Sequence, residues 1–572
     1  MKQVVKYSLP DEIPVVHENA LLNRIYVARG IRSTDELVFD WSKLLPPRGF
    51  KDLDKALKLL YEALSRHWRV TVIGDYDTDG ATSTALMVQG LSALGADGIS
   101  YFTPNRFTHG YGLSPEIVKE VALRFNPQLL ITVDNGSSSF DAVNEAQKMG
   151  IKVLITDHHA VGELLPAADA LINPQRSDDE FPSKNLAGVG VAFYLLLALR
   201  SYLREQNWFA DRKEPNFAAF LDLVTLGTIA DSVPLDYNNR LIVAQGIKRI
   251  RKGKMRIGLK CLLESANKDY QDFSTYEAGF VVAPRLNAAG RMEDMSLSLE
   301  LLLANNAIKA QMLVARLEQL NEARRSCERN MLQQVGEILA DRYASPELIP
   351  AGVTFYDESW HPGVMGILAS RVKDLINRPV AIFTKADAGE LRGSIRSVEG
   401  IHIRNLLSQI AEKHPGLLLH FGGHAMAAGV TILARQYDLF TEAFAEAVGK
   451  SGVDDTIQTI LVDGTLNDEN CTLENAMLLC EVGLWGAGFN EPQFYGEFEI
   501  LKQGIIGERH LKLQLRFLNG KNSYEALAFN IDPLLWQGRK YTNLQVVYRL
   551  AVNKFKQQTK LQLTIVEILA YA

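Results

Sequence analysis

From about Trp68 to Ala230, short apolar runs alternate with stretches of helical length and spacing. The runs Val70–Gly74, Leu129–Val133, Ile151–Thr156 and Ala170–Ile172 are rich in Val, Ile and Leu, and Ala81–Leu94 and Phe140–Met149 lie between them. Fully apolar strands alternating with helices predict a parallel sheet covered on both faces. Ligands of such sheets gather beyond the carboxyl ends of the strands, so chemistry is expected there. Leu186 to Asn287 reads as mostly helical, and one long helix follows from about Asn306 to Tyr343, with no Gly or Pro inside it except Gly336. At 1.5 Å per residue that helix would reach roughly 55 Å, which suits a connector lying against two domains. After Pro346–Gly352 the alternation resumes at Val353–Tyr356, Val364–Leu375 and Val380–Phe383, ending near Lys450. The last segment changes period. Leu511, Leu513, Leu515 and Phe517 alternate with Lys512, Gln514 and Arg516, and further strands are expected at Tyr495–Leu501, Tyr524–Phe529, Leu544–Val552 and Leu561–Ile568. Such strands in about a hundred residues predict a small barrel of the oligonucleotide-binding (OB) kind.

The predicted class is therefore α/β: a parallel-sheet domain joined by a long helix to a second α/β domain, plus a C-terminal OB-like barrel. The boundaries expected are 1–50 for an N-terminal segment, 51–300 for the first domain with a helical insert, 301–345 for the connector, 346–452 for the second domain and 453–572 for the barrel. A chain of 572 residues with 47% hydrophobic and 22% charged residues has room for several cores. Met1–Val16 has no apolar stretch of signal-peptide length, and no apolar run approaches membrane-spanning length, so no membrane role is expected. Cys261, Cys327, Cys471 and Cys480 have neither metal-ligand spacing nor the density of a disulfide framework, which fits a reducing cytoplasm. Net charge is −6, yet Leu501–Ala572 carries eleven Lys or Arg against four Asp or Glu. A basic module on an acidic body is the asymmetry expected of a polyanion-binding module, although a solvated strand face would give the same count.

The chemistry concentrates at the strand ends. Val70-Thr-Val-Ile-Gly-Asp75-Tyr-Asp77-Thr-Asp79-Gly80 sets three carboxylates in five residues directly after an apolar strand. Crowded carboxylates repel, and desolvation makes this worse, so a divalent cation is the natural resolution. The same spacing opens a calcium-binding EF-hand, but that loop needs Glu at its twelfth position, where Leu86 stands, and a strand rather than a helix precedes it. Two further strands end in Asp134-Asn-Gly and in Asp157-His158-His159, and Asp231 closes an apolar helix at the end that disfavours an anion. Neighbouring side chains in a turn diverge, so one histidine is expected on a metal and the other facing phosphate. Asp and His donors without thiolates suit Mn²⁺ or Mg²⁺, and so many ligands suit two ions about 3.5–4 Å apart acting on a phosphoester.

Together these blocks resemble the DHH phosphoesterase superfamily and, within it, the RecJ exonucleases. The likeness covers nearly the full length. It extends to Pro104-Asn-Arg106 with His109-Gly-Tyr111-Gly-Leu-Ser, Ala283-Pro-Arg285-Leu-Asn287-Ala-Ala-Gly290-Arg291, Trp360-His361-Pro-Gly-Val-Met-Gly-Ile and Phe421-Gly-Gly-His424-Ala-Met-Ala-Ala-Gly429. The resemblance implies DHH and DHHA1 domains, and metal ligation by Asp75, Asp77, Asp79, Asp134, His158 and Asp231. Asp75 would replace a histidine that relatives carry at the position of Ile73. His159 would steady the substrate phosphate, Arg106 and Tyr111 would bind the substrate, and Arg285, Asn287 and Arg291 would meet the DNA end. His424 would meet a phosphate, in a block whose glycines would let backbone approach a nucleotide or pack tightly beneath a sheet. His361 would lie near the site, and Arg392 and Arg396 would track the backbone or form surface ion pairs.

The activity these readings imply is that of a metal-dependent exonuclease acting from the 5′ end of single-stranded DNA to release mononucleotides in repair and recombination, without a covalent intermediate. Specificity would come from a channel between the α/β domains too narrow for duplex. The barrel would feed it, with Lys554, Lys556 and Lys560 on phosphates and Phe555 or Tyr548 stacking on bases. Single-strand-binding protein and a helicase are the partners the resemblance implies, with a monomeric chain in the bacterial cytoplasm, associated with the nucleoid during repair. Two other readings remain: a DHH enzyme for pyrophosphate, short oligoribonucleotides or cyclic dinucleotides, and a non-catalytic binding protein. The connector and basic barrel favour a polymer, and the full complement of acids favours catalysis.

Overall fold

The structure, a computed structural model, describes residues 2–110, 112–343, 345, 348–386, 389–452, 458–507, 509–555 and 558–572, with Val482, Leu534 and Phe555 described by backbone alone. Two compact units result, one of Leu44–Val233 with Leu241–Thr456, the other of Met1–Lys43, Pro234–Arg240 and Ile457–Ala572.

The first unit opens with a five-stranded, wholly parallel sheet in the order Ile99–Phe102, Val70–Ile73, Leu129–Val133, Lys152–Thr156, Ala170–Ile172. Every residue of Val70–Ile73 and Leu129–Val133 is buried, which is why these strands read as unbroken apolar runs. The chain leaves Val70–Ile73 for one neighbour, Ile99–Phe102, and returns to the other side at Leu129–Val133. The order therefore reverses between Val70–Ile73 and Leu129–Val133, the point where open α/β sheets bind ligands. Helices Thr78–Ala93, Gly188–Glu205 and Leu221–Ala230 pack as one apolar layer.

The connector helix spans Ala307–Arg342, begun by Asn306, whose side chain accepts from the Lys309 amide. Beyond it lies a second five-stranded sheet in the order His420–Gly423, Ala427–Leu433, Glu390–Arg396, Val380–Lys385, Val353–Tyr356. Only its last two strands pair parallel. The other three are antiparallel and do not stand out in the sequence, because Gly393, Gly422, Gly423 and Gly429 break their apolar alternation.

In the second unit, Phe494–Ile506, His510–Phe517, Ser523–Ala528, Gln558–Tyr571 and Asn543–Phe555 close a barrel in that order, with one parallel pair among antiparallel ones. Tyr548 is fully buried against Phe494 and Phe498, so its ring fills the barrel and does not face bases, correcting the stacking role expected of it. Lys2–Lys6 pairs in parallel with Gln458–Val462, and a buried Arg29–Asp463 ion pair at 2.7 Å ties the N-terminal segment into this unit. No helix among the described residues is long and apolar enough to cross a membrane.

Candidate metal centre

Three loops at the carboxyl edge of the parallel sheet and the C-terminus of helix Leu221–Ala230 converge. Asp75 follows Val70–Ile73, and Ile73 itself is fully buried in the strand. Asp77 caps helix Thr78–Ala93 by accepting from the Gly80 amide at 3.0 Å. Asp79 accepts from the first amides of helix Gly188–Glu205, Gly188 at 2.6 Å and Val189 at 3.1 Å. Asp134 takes a left-handed backbone, φ 63°, as the chain turns out of Leu129–Val133. His158 follows Lys152–Thr156, and Asp231 caps the C-terminus of Leu221–Ala230.

These side chains meet. The Nε2 atom of His158 is 3.0 Å from Asp134, 3.4 Å from Asp231 and 4.0 Å from Asp79. Donor atoms of Asp75, Asp77 and Asp134 lie within 4.8 Å of one another, as do those of Asp79, His158 and Asp231, and those of Asp134, His158 and His159. So close a fit depends on missing side chains. A Cβ on Gly188 would stand 2.6 Å from the Asp134 Cβ, and one on Gly227 would stand 2.6 Å from Asp79 Oδ1.

The electrostatics of the cluster follow from this crowding. Burial and then the Asp77 charge push Asp75 up to about 8 and Asp79 up to about 7. Burial, then Asp79 and Asp77, push Asp231 up to about 9, and burial and the same acids raise Asp134 well above its ordinary value. Burial and the charge on His159 push His158 down to about 4, leaving it a neutral imidazole. The ring proton goes to the Leu186 carbonyl, so Nε2 offers only a lone pair; although 3.0 Å apart, Nε2 and Asp134 Oδ1 make no hydrogen bond, and both, like Asp75 Oδ1, are buried without a partner. Buried, unsatisfied oxygens and an imidazole nitrogen turned to a common point are the donor set of a hard or borderline divalent cation. The residues fit such a metal.

His158 and His159 do not diverge as expected, since their ring centroids are 4.4 Å apart. Asp157 causes this by accepting from both backbone amides and from His159 Nδ1 at 2.8 Å. Burial would lower His159, but the Asp157 hydrogen bond and charge outweigh it and push His159 up to about 9. For Asp157 the same partner overcomes a raising effect of burial and lowers it. The centre thus holds one neutral and one cationic histidine. Sequence reasoning passed over Asp157 as anchor, and Gly188 and Gly227 entirely.

A cationic side adjoins the acids. Arg106 lies 3.8 Å from the centroid of the Tyr76 ring and donates to the Gly290 carbonyl. Burial and then Arg106 push Arg291 down to about 10, and burial and then Arg106 also lower Arg396. Arg291 and Arg396 line a cavity of about 280 Å³ with Gly366, Ser370 and Arg371. Arg392 lies on the same face of strand Glu390–Arg396 as Arg396, four residues away, and is the more exposed of the two. His361 accepts from the Gly363 amide and packs edge-on against Phe107, 5.8 Å between ring centroids. The His424 ring stacks on His159 at 5.9 Å. Asn287 accepts from the Thr78 amide at 2.8 Å and so braces the acid-bearing loop. Arg285 is held by Glu318 and the Val281 carbonyl. Lys554 and Lys560 lie on the paired barrel strands Asn543–Phe555 and Gln558–Tyr571. Tyr111, Lys556 and the side chain of Phe555 fall outside the described residues.

The sequence matches the DHH family N-terminal domain over residues 69–228, the DHHA1 domain over 349–450 and the RecJ OB domain over 462–567. It is 46% identical to the single-stranded-DNA-specific exonuclease RecJ of Dickeya dadantii, covering 97% of this chain and 96% of that one. Against the protein of the same description from Escherichia coli K12 the figures are 45%, 97% and 96%. The crystal structure of RecJ with Mn²⁺ from Thermus thermophilus superposes with TM-score 0.81 at 29% identity, covering 100% of this chain and 79% of that chain. The Mg²⁺ complex from the same organism gives 0.75 at 28%, covering 100% and 78%.

Proposed function

The chain belongs to the RecJ family, and from that premise we propose that it is a single-strand-specific DNA exonuclease whose acid and histidine cluster hydrolyses the terminal phosphodiester with two divalent cations, Mn²⁺ or Mg²⁺. The observation that carries this reading is the convergence of Asp75, Asp77, Asp79, Asp134, His158 and Asp231 with buried donor atoms unsatisfied. Asp75, Asp77 and Asp134 would hold one ion, and Asp79, His158 and Asp231 the other. When bound, two such ions activate a water for in-line attack and stabilise the leaving oxygen.

The protein's own residues supply the rest. Neutral His158 presents a lone pair rather than a proton. Cationic His159, oriented by Asp157 and stacked with His424, would face the scissile phosphate. Arg106, Arg291 and Arg396 bring three guanidinium charges together beside the acids, which suits a dianionic terminal phosphate and supports attack from the 5′ end with release of mononucleotides. Asn287 fixes the loop of Asp75–Asp79, while His361, Arg285 and Arg392 would meet the strand farther from the scissile bond. Family membership supports the finer reading of a monomer in the bacterial cytoplasm, working at the nucleoid with single-strand-binding protein and a helicase.

The test is digestion of end-labelled single strands, duplex and pyrophosphate with Mg²⁺ or Mn²⁺. Single strands should shorten from the 5′ end while duplex and pyrophosphate persist, and His158→Ala should abolish turnover but keep DNA binding. Pyrophosphate cleavage without strand shortening would overturn the reading.

A further inference from the structure

A π-helical turn, Glu277–Val282, runs without a break into helix Ala283–Met292. Such turns recur at functional sites because they displace side chains from the regular helical surface. Tyr276 and Phe280 are 55% and 69% exposed, with ring centroids 5.2 Å apart and planes at 32°. The Lys268 ammonium lies 5.8 Å from the centroid of the Tyr276 ring. Neither ring belongs to the core, although the flanking Ala278, Val281 and Val282 do.

Their place along the helix gives these rings a direction. Pro284, Asn287 and Arg291 recur at α-helical spacing and are partly exposed, so one face of helix Ala283–Met292 carries them, and Phe280 lies in the π-helical turn just before it. That face ends at the metal centre, where Asn287 holds Thr78, and Arg291 feels the charge of Asp77. The π-helical turn packs against helix Leu221–Ala230, which Asp231 closes. Seven residues of helix cover about 10 Å, which is about three nucleotides at the stacked rise of about 3.4 Å.

We propose that Tyr276 and Phe280 form a stacking platform for the unpaired bases of the DNA strand a few nucleotides from the scissile bond. The inference rests on the exonuclease reading and adds the element that grips bases. A nuclease indifferent to sequence must hold bases by their faces, and two adjacent exposed rings offer such faces, while the Lys268 charge beside them is balanced by Glu277 at 3.4 Å. Paired bases turn no free face to such rings, so the platform also favours single strands.

The test uses the full chain with Mg²⁺ and oligodeoxynucleotides carrying either normal bases or abasic residues at the second to fifth positions. The wild-type KM should rise on the abasic strand. Phe280→Ala should raise KM on the normal strand by about tenfold and erase most of the abasic penalty. Its kcat should stay within about twofold, because no reacting atom is touched. Phe280→Trp should restore both the affinity and the penalty, and melting temperatures should not move. If Phe280→Ala and Tyr276→Ala keep the wild-type KM and the wild-type penalty, the platform is refuted while the exonuclease reading stands. If the wild-type chain shortens no single strand, both fall.

Discussion

Gly188→Ala removes no ligand, yet it should cripple the enzyme. The new Cβ would stand 2.6 Å from the Asp134 Cβ, 2.7 Å from its Oδ1 and 2.9 Å from its Cα. Ordinary carbon contacts begin near 3.4 Å, so about 0.8 Å must be found by moving either the helix start or the Asp134 turn. Both carry the centre, since the Gly188 amide holds Asp79 and the left-handed Asp134 turn cannot slide freely. A misplacement of this size costs about a hundredfold in rate, and overpacking costs about 1–3 kcal/mol of stability. The assay is kcat on a labelled single strand across a Mg²⁺ titration, beside a thermal melt. Gly190→Ala is the control on the same helix, because its Cβ meets the flexible Leu186 side chain at 3.2 Å. It should retain activity within a few-fold of wild type. Wild-type turnover by Gly188→Ala, or equal losses in both variants, would refute the reasoning.

Other consequences are open to measurement. Asp75, Asp79 and Asp231 have folded-state values raised to about 8, 7 and 9. The folded, metal-free chain therefore holds protons that the unfolded chain has released, and these groups make stability fall as pH climbs from about 4 toward 9. Melts of metal-free protein should show that decline and Mg²⁺ should remove it; an equal decline with Mg²⁺ would contradict the assignment. Metal affinity should rise over the same window with proton release, which calorimetry in buffers of different ionisation enthalpy detects. Asp157→Asn should lower the His159 value and move the alkaline limb of kcat/KM toward neutrality, where an unshifted profile would deny the pair a role. Arg291→Ala should raise KM for 5′-phosphorylated strands far more than for 5′-hydroxyl strands, and equal effects would remove the terminal-phosphate assignment.

What could be read in the sequence was what local pattern encodes. Apolar strands ending in Asp75, Asp134 and His158 announced a sheet and its chemistry, because a buried parallel strand leaves its polar residues only at the end. The barrel strands announced themselves by alternation, and the connector by lacking breakers. Contacts between distant segments stayed hidden. The Asn287 carboxamide reaches the Thr78 amide across 209 residues, a contact that no local pattern encodes. Gly188 and Gly227 look like ordinary helix glycines until another helix or turn presses against them. Tyr548 was expected on bases because strand period gives two faces but not which one is inside. The strands around Gly393 and Gly429 were obscured since glycine carries no side chain to mark a face.

Counting bound ions tests the two-metal centre most directly. Manganese bound to the purified chain, followed by electron paramagnetic resonance during titration, should reach two Mn²⁺ per chain with the signal of a spin-coupled pair. Asp134→Asn should lose the coupling. One uncoupled ion, or coupling that survives Asp134→Asn, would contradict it.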